Sequence, residues 1–328
     1  MPPTQRVPVL MLEPLTPAQI RAYLERIGYV GPTQPTPQTL RQIHLAHLLR
    51  VPFENLDIHW GRSIRLERDF LFQKIVRERR GGFCFELNSL LAAALQGMGF
   101  SVHLLSGQVS RAVHATRTEP DGCFGPECDH LALQVNCGDE AWLVDVGYGD
   151  AFREPLRLGD PGIQAQAEGR YRLTPWPAAP ARYWLIQQER PDRTWKTLFL
   201  LDRIPRQLQE FEPMCRFHQT SPASRFTRLR LCSLATPSGR ITLTARADGS
   251  LFKWIETTPA GRRERLLKDE KEYEHLLACA FGIRLPPSPS AAGDPRRKVA
   301  RPKPTGISTE PTPISPQQGQ NPCQLMSE

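Results

Sequence analysis

The hydrophobic period of this chain changes from helical to alternating near residue 100, and that change restricts the folds open to it. Before it, apolar residues recur at helical spacing. Thr16-Pro17-Ala18-Gln19 reads as a capping box with proline at the first helical position. Ile20, Tyr23, Leu24 and Ile27 follow until Gly28 stops the run. A second helix is expected from Pro37 through Leu40, Ile43 and Leu48, ending before Val51-Pro52 because proline biases its predecessor away from helix. A third, after Gly81-Gly82, carries Leu87, Leu90, Leu91, Ala94, Leu95 and Met98.

Beyond residue 100 the period becomes alternating. Strands are expected at 101–110, 131–135, 142–146, 183–188, 195–200, 226–231, 241–245 and 250–255. Asp248-Gly249 reads as a hairpin turn between the last two, and a final helix fits 263–280. Helices, then strands, then a mixed end specify an α+β architecture rather than repeated βαβ units. There is no internal repeat, no GxGxxG fingerprint and no GxxxxGK[ST] phosphate loop.

Charge is informative mainly by its location. The 42 basic and 34 acidic residues give +8. Residues 286–328 hold ten of the 32 prolines and no aromatic residue. Such a segment cannot bury enough apolar surface to offset its ordering entropy, so it is expected to be a disordered tail. In the remainder, arginines alternate with glutamates, as in Arg262-Arg263-Glu264-Arg265, and no basic stripe carries stacking aromatics. Nucleic acid is therefore not expected as a partner. No apolar run of 18 or more residues exists to span a membrane, and the N-terminus lacks a signal-peptide layout. Eight irregularly spaced cysteines fit free thiols in a reducing cytosol better than a disulfide scaffold.

One cysteine stands out. In Arg79-Arg80-Gly81-Gly82-Phe83-Cys84-Phe85-Glu86-Leu87-Asn88, two glycines lead into a helix and place Cys84 in its first turn. Unpaired backbone N–H groups and the helix dipole there favour negative charge, hence the nucleophilic thiolate. The alternative is ordinary packing of a small apolar residue. A thiol nucleophile needs a base, and the base needs an orienting group. If Cys137-Gly138 forms a two-residue turn, Leu133 faces Trp142, Leu131 faces Val144, and His130 falls opposite Asp145 at hydrogen-bonding range. His44 and His47 fit helix lining, while His103 and His114 have no carboxylate at matching register. Cys123, Cys128 and His130 lack a well-spaced fourth ligand, so no metal is expected. Residues 117–129 read as a flexible insertion.

VPFENLDI at 51–58, RGGFCFELN at 80–88, His130, WLVDVGYG at 142–149 with Asp145, and FHQTSPASRF at 217–226 occur in one order. Together they make the chain resemble the arylamine N-acetyltransferases over about residues 12–285. The resemblance implies a helical bundle (1–100), a β-barrel (101–210) and an α/β lid (211–285), with the tail at 286–328. It implies a Cys-His-Asp triad at Cys84, His130 and Asp145. Acetyl-CoA would be a co-substrate, with no permanently bound cofactor, and an aromatic amine or hydrazine the acceptor. It also implies acceptor contacts at Phe53 and Phe83, a coenzyme contact at Phe217, and structural support from Glu54, Arg80 and Asn88. The stretch between Cys84 and His130 is longer than in typical bacterial members, so contacts at 117–129 do not carry over.

On this reading the thiolate takes an acetyl group from the thioester and passes it to the amine, His130 managing protons. The alternatives are an amide synthase of the same fold closing macrolactams, a Cys-His-Asp hydrolase, and a non-catalytic binding protein that would have no need of all three residues.

Overall fold

The computed structural model describes residues 12–111 and 123–284. The tail at 286–328, His114 and residues 117–122 of the insertion lie outside the described residues. Helix α1 (Pro17–Ile27) begins as its sequence directs: Thr16 Oγ1 accepts the Gln19 N–H while Gln19 Oε1 accepts the Thr16 N–H. It ends at Gly28, whose φ of 68° suits the left-handed cap. Thr36 caps α2 (Pro37–Arg50), which stops at an extended Val51. Strand β1 (Phe53–Glu54), α3 (Leu56–His59) and α4 (Arg68–Phe72), which runs into a π-helical turn at Gln73–Arg77, lead to α5 (Cys84–Gly97). From Cys84 to Leu95 every residue of α5 is buried. A helix buried on all sides belongs at the centre, and α5 is the axis of the larger core.

Eight antiparallel strands follow: β2 (Ser101–Val109), β3 (His130–Cys137), β4 (Glu140–Val144), β5 (Leu156–Arg157), β6 (Gln164–Gln166), β7 (Gly169–Pro175), β8 (Tyr183–Glu189) and β9 (Trp195–Arg206). Their order is β5-β4-β3-β2-β9-β8-β7-β6. β3 is sandwiched, which explains its near-continuous apolar run. Leu131, Leu133 and Val135 pack on the α5 core, while Ala132 turns with Leu105, Leu143 and Phe199 into the barrel interior. The edge strands β5 and β6 are joined by side chains instead of a ladder. The Gln164 amide bonds both the N–H and the carbonyl of Arg157, and the Gln166 amide bonds the N–H groups of Arg153 and Glu154 and the Glu154 carbonyl. The sheet is thereby a nearly closed barrel.

A 3₁₀ turn (Leu208–Phe211), α6 (Glu212–Thr220) and α7 (Arg225–Arg228) precede the last sheet. Its strands are β10 (Leu229–Thr236), β11 (Gly239–Arg246), β12 (Lys253–Thr258) and β13 (Gly261–Leu266), covered by α8 (Glu270–Phe281). The order β1-β10-β11-β12-β13 gives this sheet an edge strand from the N-terminal region.

Three expectations are corrected. Residues 226–228 are helical because Ser224 caps α7 through the Phe226 N–H, so the strand starts only at Leu229. The helix expected from 263 starts at Glu270: Gly261–Leu266 pairs with β12 as a wholly exposed strand whose alternating charges carry no burial signal. The β3–β4 turn is Gly138-Asp139 rather than Cys137-Gly138, because glycine with positive φ (59°) takes the first central position. Leu133 therefore faces Val144, and Val135 faces Trp142. The slip is two residues, so every side chain keeps its face.

Candidate active site

Cys84 is the first residue of α5, where the helix N–H groups lack intrahelical acceptors. The preceding glycines allow the loop to press against β1. A Cβ at Gly81 would lie 1.9 Å from the Pro52 carbonyl oxygen, and one at Gly82 would lie 2.7 Å from Glu86 Cβ. This contact lets the Glu54 N–H reach the Gly82 carbonyl at 2.9 Å. On the other side, a Cβ at Gly147 would come within 2.6 Å of Cys84 Cα, so the loop after β4 also packs directly on the cysteine.

The corrected register makes Asp145 a diagonal rather than a direct neighbour of His130, and the side chains still meet. His130 Nε2 lies 2.6 Å from Asp145 Oδ2, and the Cys84 sulfur is near enough to the imidazole to act on its charge. Asp145 Oδ1 accepts from Asn88 Nδ2 at 2.9 Å and from the Gly147 N–H at 2.8 Å. Tyr148 stands edge-on to the His130 ring, and Phe199 packs at 5.2 Å. Burial opposes charge on His130, but the Asp145 carboxylate and the Cys84 sulfur outweigh it and push its pKa up to about 10. Burial would raise the Asp145 pKa; His130 and the Asn88 and Gly147 donors overcome that and hold it below the usual carboxylate range. The two groups thus favour each other's charged form, imidazolium with carboxylate.

A buried charge network lies behind the cysteine loop. Arg80 bonds Glu54 Oε1 at 2.7 Å and Asp57 Oδ1 at 3.0 Å, while Lys74 from the π-helical turn bonds Asp57 at 2.8 Å and Glu86 at 2.7 Å. Glu86 Oε2 in turn accepts the Phe83 N–H, fixing the residue before Cys84. Arg26 of α1 secures the same loop without any carboxylate. Its guanidinium donates to the backbone carbonyls of Ile75, Arg50, Arg79 and Arg80. Asn88, expected within this support, belongs instead to the Asp145 side, where it also bonds the Leu131 carbonyl and the Val146 N–H.

Three carboxylates share two cations here. Burial pushes the Glu86 carboxyl up to about 7, helped by Glu54 and Asp57 and opposed by Lys74. The folded protein thus holds this proton to higher pH than the unfolded chain. The contribution to stability is complete below about pH 4.5 and is lost as pH rises through about 7. Wild type is expected to lose up to about 3 kcal/mol relative to Glu86→Gln across that window. Denaturant unfolding of both proteins at several pH values checks this, and parallel stability curves would contradict it.

His44 is the positioning residue that sequence reasoning missed. It is fully buried in α2, and burial holds its pKa below the usual value despite the backbone hydrogen bonds. Nδ1 lies 2.7 Å from the Arg153 carbonyl, and Nε2 reaches the backbone of Asp145. A neutral ring has one N–H, which donates either to the Arg153 carbonyl or to the Asp145 carbonyl 3.1 Å from Nε2. An amphipathic-helix reading could mark His44 as inward, but not name a partner 101 residues away. His47 bonds Tyr23 in the bundle, and His103 lies half-buried on β2.

Phe53 and Phe83 meet through Phe226, at ring separations of 6.1 and 5.9 Å. Phe83 is fully covered, whereas Phe217 on α6 is 38% exposed and touches His218. Among the described residues no group of three or more His, Cys, Asp or Glu side chains is placed to hold a metal, and no helix is long and apolar enough to cross a membrane.

Comparison with known proteins finds the same fold and a matching family. A family model described as N-acetyltransferase matches residues 36–289. Arylamine N-acetyltransferase 2 of Mesocricetus auratus is 35% identical over 291 residues, covering 81% of this chain and 94% of its own. Arylamine N-acetyltransferase 1 of Homo sapiens is 33% identical with the same coverage. Among solved structures, the arylamine N-acetyltransferase from Salmonella typhimurium superposes with a TM-score of 0.71 at 29% identity, covering 87% of this chain and 96% of that one. The Mycobacterium marinum enzyme in complex with CoA gives 0.69 at 28% identity, covering 80% and 92%. The chain belongs to the arylamine N-acetyltransferase family, a family of acyltransferases.

Proposed function

We propose that this protein moves an acetyl group from acetyl-CoA to the nitrogen of an arylamine or hydrazine in two half-reactions, through an acetyl-thioester on Cys84. The observation that carries the reading is the buried His130–Asp145 pair at 2.6 Å, set beside Cys84 at the start of α5. The named relatives, one of them a CoA complex, support acetyl-CoA as donor and arylamines as acceptors. The three-part division near residues 100 and 210 belongs to the same proposal. One part supplies the cysteine, the second the histidine and aspartate, and the third the aromatic α6–α7 turn.

His130 holds the thiol proton, with Asp145 fixing the ring and its charge. The Cys84 thiolate adds to the thioester carbonyl, and the tetrahedral oxyanion collapses with departure of CoA sulfur, which recovers the proton from His130. Because Glu86 occupies the Phe83 N–H, the first-turn N–H groups of Cys84 and Phe85 remain as oxyanion donors. A neutral amine then adds to acetyl-Cys84, His130 takes the proton that the amine loses, and the amide leaves. Arylamines suit this step because their low basicity leaves them unprotonated near pH 7.

Rapid mixing with acetyl-CoA alone tests the proposal. One equivalent of CoA should be released in a burst, and the peptide containing Cys84 should gain the mass of one acetyl group. Adding an arylamine should then restart CoA release and form the amide. Sustained CoA release without any amine would instead identify a hydrolase, and no release would reject the acetyl-CoA reading.

A further inference from the structure

A second imidazole–carboxylate pair stands beside the first. His218 of α6 places Nε2 3.1 Å from Asp129 Oδ1 and Nδ1 3.1 Å from Ser224 Oγ. Its ring packs on Phe85 at 6.0 Å and on Phe226 at 5.2 Å, and Phe226 packs on Phe83. Phe83 and Phe85 flank Cys84 in the chain, and Asp129 immediately precedes His130. The charge of Asp129 also reaches Tyr148, the residue standing edge-on to the His130 ring. The pair therefore adjoins the neighbours of both the nucleophile and the base, and the mechanism above makes no use of it.

Counting donors and acceptors defines what this pair offers. Both nitrogens of His218 are engaged within the protein, and Ser224 Oγ also accepts the Phe226 N–H. Among the described residues, the group left to a ligand is the other carboxylate oxygen of Asp129, which only accepts hydrogen bonds. The Asp129 side chain keeps 14% of its surface exposed, and glycine at 125 lets the loop lie against Oδ2, which a Cβ there would approach to 2.3 Å. We propose that Asp129, held by His218, forms a polar wall of the acceptor site and selects arylamines or arylhydrazides whose ring bears a hydrogen-bond donor, such as a hydroxyl, amino or amide N–H group. Ring carboxylates would be disfavoured, because two acceptors of like charge meet where solvent screening is weak. This inference rests on the acetyl-transfer reading and adds the substrate class.

Steady-state acetylation of 4-aminobenzamide and 4-aminobenzoate by the full-length protein tests it. The two acceptors have nearly the same shape, and the carboxylate withdraws less electron density, so intrinsic amine reactivity does not favour the amide. Wild type should prefer the amide by about tenfold or more in kcat/KM, the scale of one hydrogen bond to a charged group. Asp129→Asn, which can donate to a carboxylate, should reduce that ratio below about twofold or invert it. His218→Gln, which retains a donor toward Asp129, should keep the amide preference. A wild-type preference for the carboxylate, or a ratio unchanged in Asp129→Asn, overturns the inference. Burst release of CoA from acetyl-CoA, followed alongside, separates this failure from failure of acetyl transfer itself.

Discussion

Cys84→Ala is expected to leave a folded protein with acetyl transfer at the uncatalysed background. Removal of a nucleophile costs on the order of 10⁶ in kcat in a well-characterised serine hydrolase, because the remaining groups act only through it. The substitution removes one sulfur from a buried position and disturbs neither Glu86 at the Phe83 N–H nor the Asn88–Asp145 bond. Its melting temperature should stay within a few degrees of wild type, on the order of 1 kcal/mol. Single-turnover assays would show no acetyl-enzyme. Appreciable burst CoA release by this variant would remove Cys84 from the mechanism.

Asp145→Asn should be nearly as damaging, for a different reason. Both carboxylate oxygens of Asp145 face donors: His130 Nε2 on one side, Asn88 Nδ2 and the Gly147 N–H on the other. An amide offers only one acceptor oxygen. If its NH₂ faces Asn88 and Gly147, buried donors oppose each other. If it faces His130, it imposes the Nδ1–H tautomer and occupies the lone pair that should hold Nε2–H. Either way the carboxylate charge that supports the imidazolium is gone. The corresponding asparagine substitution in a serine-protease triad lowers kcat by about 10⁴, and a loss of that order is expected here. The rate–pH profile should change with it, because His130 loses the charge that raises its pKa. Activity within about twofold of wild type would reduce Asp145 to packing.

Local rules made much of this fold readable. The Thr16/Gln19 box, the Gly28 stop and the glycine pair before Cys84 act within a few residues, and the structure uses each of them. The β3–β4 turn was legible to within two residues, because period-2 alternation fixes the face of a strand but not its pairing partner. Three kinds of feature were not legible. Gly261–Leu266 is a strand exposed on every side chain, so burial left no pattern there. A short capped turn hides inside the apparent strand at 226. Long-range polar contacts, such as His44 to Asp145 or Asp129 to His218, join residues whose types alone say nothing about one another. Asn88 shows the same limit from within a recognised motif: it is near Cys84 in sequence, but its side chain serves the aspartate.

Arg26 has a consequence for how the nucleophile endures its surroundings. Its guanidinium meets four neutral carbonyl oxygens contributed by the end of α2 and the segment leading to Cys84, so dissolved ions have no opposing charge there to mask. Lysine could not take its place, since one ammonium cannot span oxygens that the planar fork reaches from three nitrogens. The cysteine is thus tethered by a cation whose hold is indifferent to brine and to acid alike, and osmotic or ionic stress should wear at the rim of this molecule before it loosens the thiol.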